Sequence, residues 1–185
     1  MKSKHAGLIF FAIASAWFSA PLAFAGGSTL VVISSWPPHV SDADEDPTKR
    51  AARLTEIADA IDGATGDRQE RAALITQAKH ESHLADYVFR NDCKSGPRGA
   101  YECDGTPGKG HRAHGIYQLH GDVPDDLAGQ TAMALRLWKS HLKRCRGSVK
   151  DEIAGAFSGM ATGGKCGWGG AAKRAATMRG LVSRL

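Results

Sequence analysis

Glu81 stands on the apolar stripe of a helix. In the stretch 71–83, RAALITQAKHESH, Leu74, Ile75 and Ala78 share one side. Glu81 follows Leu74 by seven residues and Ala78 by three, which returns it to that side. Burial disfavours the charged form of a carboxylate. The helix is expected to end near His83, and the partial negative charge of a helix C-terminus acts in the same direction. This placement predicts a glutamic acid kept protonated for use as a general acid. The alternative is a salt-bridged or surface glutamate at a helix end, because apolar stripes commonly have charged borders.

Two further stretches follow Glu81-Ser82 in order: Gly115-Ile116-Tyr117-Gln118-Leu119 and Ala156-Phe157-Ser158-Gly159. With these, the chain from about Ala51 to Leu185 resembles the lysozyme-like superfamily, in its soluble lytic transglycosylase and goose-type lysozyme branch. That branch carries a helix ending in Glu-Ser, a Gly-Leu-Met-Gln-like turn and a helix with Ala-Tyr-Asn-Ala-Gly. Phe157 and Ser158 stand where Tyr and Asn are usual. The resemblance implies a mainly α, lysozyme-like domain that cleaves peptidoglycan between N-acetylmuramic acid and N-acetylglucosamine, with no cofactor. Glu81 would be the catalytic residue, serving first as acid and then as base, while the muramic acid's own 6-hydroxyl attacks and leaves a 1,6-anhydro end. Ser82, Gly115, Tyr117, Gln118, Phe157 and Ser158 would contact or position the sugars. Two rival readings remain. One is a hydrolytic goose-type lysozyme that holds water with an Asp of the 86–104 loop, since ordinary glycosidases need a second carboxylate. The other is a non-catalytic wall-binding protein on the same fold, to which Phe157-Ser158 gives weight.

Other chemistries fit less well. His80, His83, His111, His114 and His120 invite a metal reading, but His80-Glu81-Ser82-His83 lacks the H-E-x-x-H spacing. Ser82 is in no G-x-S-x-G elbow, and no phosphate-binding or dinucleotide fingerprint occurs.

The helices that must carry these residues have readable starts. Asp46-Pro47 opens a helix to about Ile61, with Leu54, Ile57, Ala58 and Ile61 inward. Asp67 and Glu70, at capping-box spacing, open the Glu81 helix, which runs to about Leu84. Asp125 or Asp126 caps the longest helix, to about Arg144, with Trp138 read as core. Ser148 is expected to cap a helix over 149–160, and a last helix spans about 171–185. Gly115 to His120 alternates like a short extended segment, and Gln118 offers an amide that both donates and accepts. Between lie two Gly-rich loops. Arg90 to His114 holds seven glycines and prolines and offers Asp92, Asp104, His111 and His114 as cleft-wall candidates. The loop 162–170 holds Trp168, the better candidate for sugar stacking.

The N-terminus reads as an export signal over 1–25: Lys2 and Lys4, an apolar run 8–18, and the small-x-small site Ala23-Phe24-Ala25. That predicts a periplasmic or secreted, monomeric protein with no stable membrane insertion. Residues 26–47 read as a flexible lead-in, with 30–33 as a possible edge strand, and 48–185 as the domain. Four cysteines in an exported chain read as two disulfides. Cys93–Cys103 and Cys145–Cys166 each close one local loop. Charge is uneven: 136–185 holds eleven Lys and Arg against Asp151 and Glu152, whereas 26–135 holds eleven basic against seventeen acidic residues. The basic end could attract an anionic polymer. Cell-wall glycan with its peptide carboxylates fits, and no interleaved aromatic platform supports nucleic acid.

Overall fold

A computed structural model of the protein describes residues 27–92, 113–161 and 163–185. Among these are seven α-helices and no strand: α1 (Gly27–Ser34), α2 (Pro47–Ala64), α3 (Arg68–Ser82), α4 (Asp86–Phe89), α5 (Leu127–Cys145), α6 (Glu152–Ala161) and α7 (Ala171–Val182). The mainly helical expectation holds. The expected export signal over 1–25, Cys93, Cys103, Asp104 and His111 lie outside the described residues. No helix among the described residues is long and apolar enough to cross a membrane.

Three helices start where the sequence places them. Asp46 accepts from the amides of Thr48 and Lys49, and Pro47 follows it. Asp67 accepts from the Glu70 amide at 2.9 Å. The returning half of that capping box is absent: Glu70 instead accepts from Thr65 and pairs with Lys139. Asp126 caps α5 through the Gly129 amide. α6 differs from expectation. It begins at Glu152, and Asp151, not Ser148, accepts from the Ala154 amide; Gly147, at φ +75°, turns the chain ahead of it.

The lead-in also differs. α1 occupies the segment read as flexible, and its Val32 and Ile33 are buried in the same core as α2 and α3. Thr29 Oγ1 donates to Asp62 of α2 at 2.5 Å. Val31 to Ile33, all β-branched, favour a strand by propensity, and burial against α2 overrides that preference.

α3 is the central element. It packs on α7, α5 and α2. Ala72 to Ala78 are all buried, as expected of a helix covered on most sides. Small residues let its neighbours close in, while Leu74 and Ile75 each contribute about 1.5–3 kcal/mol by burial. α3 ends in a turn whose His83 and Leu84 have φ of 52° and 59°. Such a left-handed conformation costs side-chain-bearing residues about 1–3 kcal/mol each and needs support from its surroundings. Ser82 supplies part of it: its hydroxyl donates to the Ala78 carbonyl and accepts from the Leu84 amide. Arg53 of α2 supplies more, donating to the Leu84 carbonyl and to Asp42 and Glu45, with Asp86 also near.

Cys145 and Cys166 are bonded, with Cα atoms 5.5 Å apart, and tie the end of α5 to the 163–170 loop. Replacing both by Ser is expected to cost roughly 2–4 kcal/mol, mainly by freeing the unfolded chain. Urea unfolding measures this, and an unchanged midpoint contradicts it.

Candidate active site

A cleft of about 630 Å³ opens beside the C-terminal half of α3, a volume in the range of small-molecule and glycan subsites. Its wall includes Gln77 and Glu81 of α3, Tyr117 to His120, His141 of α5, Met160 of α6, Trp168 and Arg174 of α7. Glu81 is the only acid lining it among the described residues.

Glu81 is partly exposed, its side chain at 21%. It is not an isolated acid in an apolar socket. Arg174 Nη1 donates to Oε1 in an ion pair, and Gln77 Nε2, one turn earlier on α3, donates to the same oxygen at 3.0 Å. Arg174 Nη1 also reaches Gln77 Oε1 at 3.3 Å. The sequence reading therefore needs correction: the carboxylate is held by a buried cation, and that cation comes from α7. Both hydrogen bonds fall on Oε1. A proton placed on Oε2 leaves both intact, because Oε1 is still a carbonyl acceptor.

Trp168 is 42% exposed, and the Arg174 guanidinium lies 5.2 Å from its ring centroid. Gly170 permits this arrangement, since a Cβ there would run into the indole. Ser158 holds the loop from below. Its hydroxyl donates to the Lys165 carbonyl and accepts from the Trp168 amide, both at 2.6 Å. Ser158 is thus buried beneath the cleft and positions the indole. Phe157 is wholly buried core and lines no part of the cleft.

Tyr117 borders the cleft but is buried. Thr131 gives its hydrogen to the Leu127 carbonyl, so the Tyr117 hydroxyl donates to Thr131 at 3.2 Å. Burial pushes this phenol far above its usual range. The segment 115–118 is a tight turn closed by a His114–Leu119 antiparallel bridge, and not the extended segment its alternation suggested. Gln118 has φ +48° and donates from Nε2 to the Gly115 carbonyl at 2.8 Å. Its amide stabilises the turn at the cleft edge. Gly115, at φ +63°, leaves room for Gln130, whose amide a Cβ would strike. Ser82 is spent on the end of α3 and is absent from the cleft wall. Asp92, half-buried, interacts with Arg90 and does not line the cleft.

His80 abuts the same helix pair, its Nε2 3.1 Å from Thr177 Oγ1. Burial first, and then the charges of Arg174, Lys173, Lys79 and His83, push it down to about 4. Its folded value lies below the unfolded value of about 6.5. Stability from its neutral form is therefore complete above pH of about 6.5 and is lost as pH falls from there toward about 4. The melting temperature should fall over that window, and His80→Gln, which keeps a partner for Thr177, should flatten the fall. A slope identical in both proteins contradicts the assignment.

Gln77 and Arg174 were not among the residues read from sequence as functional. Both had a signal: Gln77 precedes Glu81 by four residues, and Arg174 sits on the Ala171/Ala175/Met178 stripe of α7. No family model, curated protein or solved structure matches this chain.

Proposed function

We propose that this chain is a lytic transglycosylase of the lysozyme-like type, cleaving the glycan of peptidoglycan with Glu81 as its catalytic residue. One observation carries the reading: a single carboxylate with one oxygen anchored lines a cleft that also presents a partly exposed tryptophan. Glu81 Oε2 delivers its proton to the glycosidic oxygen between N-acetylmuramic acid and N-acetylglucosamine. The bond to the muramic anomeric carbon breaks, and positive charge grows on that carbon. Glu81, now charged, is held in place by Arg174 and Gln77. It then takes the proton of the muramic 6-hydroxyl as that oxygen closes on the anomeric carbon, which gives the 1,6-anhydro product. Trp168 offers its exposed face to a sugar ring. No second carboxylate among the described cleft residues stands ready to activate water, as hydrolysis by two carboxylates would need.

The Arg174 ion pair favours one rival, a wall-binding protein in which Glu81 is structural. Incubation of the purified protein with murein sacculi separates the two. Time-dependent release of soluble muropeptides is expected, whereas binding without release would establish the rival.

A further inference from the structure

Two cations lie beside Trp36 and a third flanks Lys79, with no carboxylate pairing them among the described residues. Lys79 Nζ lies 4.0 Å from the centroid of the Trp36 ring. Arg184 Nη2 donates to Ser35 Oγ at 3.0 Å, next to that tryptophan. Lys173 is exposed on α7, Arg184 follows just past the end of that helix, and both lie near enough to act on the charge of Lys79. Burial, then the charges of Arg184 and Lys173, holds the Lys79 ammonium below the usual lysine range. Arg50 adds a further cation, bonded to the Trp36 carbonyl at 3.0 Å. The His39 and His83 rings stack at 5.3 Å, His83 following the end of α3 four residues after Lys79.

Like charges held together without counter-ions repel, and a site arranged this way attracts an anionic partner. Its position suggests which. Lys79 precedes Glu81 by two residues on α3, about 200° around the helix, and Lys173 adjoins Arg174 on α7, so the patch and the cleft lie on different sides of one helix pair. We infer that Lys79, Lys173 and Arg184, with Trp36 beneath, bind the peptide carboxylates of a wall strand whose sugars occupy the Glu81 cleft. The inference rests on reading that cleft as a glycan site. Muramic acid carries its peptide on the lactyl group, and an extended peptide spans about 3.3–3.6 Å per residue. A stem of about five residues therefore spans roughly 17 Å, enough to pass around a helix about 10–12 Å across.

The test reads binding apart from turnover, in a Glu81→Gln background. Cosedimentation would use intact sacculi, sacculi stripped of stem peptides by an amidase, and phosphatidylglycerol vesicles. Lys173→Glu/Arg184→Glu, at exposed positions, should bind intact sacculi at least about tenfold more weakly at low salt, with the difference shrinking as salt rises. Lys79→Gln should weaken binding in the same direction. On stripped glycan the charge-reversed and parent proteins should bind alike. Equal binding to intact sacculi, an equal loss on stripped glycan, or tighter binding to the vesicles than to sacculi would each overturn the proposal. A protein that binds through the patch yet releases no muropeptide when Glu81 is restored keeps this inference and removes the catalytic one.

Discussion

Glu81→Gln is expected to slow muropeptide release from sacculi by at least about a hundredfold, since positioned acid–base catalysis contributes about 10²–10⁴-fold. The substitution keeps the hydrogen-bond acceptor that holds the side chain. Its carbonyl oxygen can still accept from Arg174 and from Gln77, as Oε1 does now. Only Oε2, the oxygen that carries the proton in the proposed reaction, becomes an amide nitrogen that can neither give up a proton to a leaving group nor take one back. Sugar binding should therefore survive, while the unfolding temperature should fall, because the buried Arg174 cation loses its counter-charge. Asp86→Asn, Asp92→Asn and Asp104→Asn should each cost far less per folded molecule. Asp86 is engaged with Arg53 and Arg90, and Asp92 with Arg90. Release by Glu81→Gln at the parent rate would end the assignment. A loss in one aspartate variant as deep as that of Glu81→Gln would point to hydrolysis.

Arg53→Ala should be the most damaging single change to stability away from the cleft, at about 3–5 kcal/mol, because it leaves buried charges without their partner. The Arg53 and Asp42 side chains are each only 3% exposed. Losing Arg53 also strips the Leu84 carbonyl of its donor in a turn already in left-handed conformation. That turn fixes where α3 stops, so the Glu81 end of the helix should loosen with it. Urea unfolding monitored by circular dichroism measures the loss. A change below about 1 kcal/mol would place the network among solvent-screened surface pairs.

Much of the helical frame was legible because it rests on local chemistry. Asp46-Pro47, Asp67 and Asp126 announce helix starts through side chains that satisfy free amides a few residues on. The Cys145–Cys166 bond is one of the pairings that three possible connectivities allow, and the one favoured because it closes a local loop. The packing of α1 was not legible, because a short β-branched run acquires helical form only through burial on α2, a contact thirty-three residues distant in sequence. The cleft was half legible. The stripe brought Glu81 to the face of α3 that meets α7, but read by itself it suggested an acid among apolar groups. The partner sits ninety-three residues further on. An arginine on the apolar stripe of α7 was the matching signal, since a buried cation requires an acceptor. Ser82, Tyr117, Gln118 and Ser158 were drawn toward the site by motif, and each spends its hydrogen bonds inside the protein: on a helix end, on Thr131, on a turn and on the loop below Trp168.

The central claim is that one carboxylate suffices because the substrate's own hydroxyl attacks. Mass spectrometry of the muropeptides released from sacculi tests it most directly. The account predicts products ending in 1,6-anhydromuramic acid, one water lighter than the hydrolytic product, and their disappearance with Glu81→Gln. Products ending in a free reducing muramic acid, released by the unaltered protein, would contradict it.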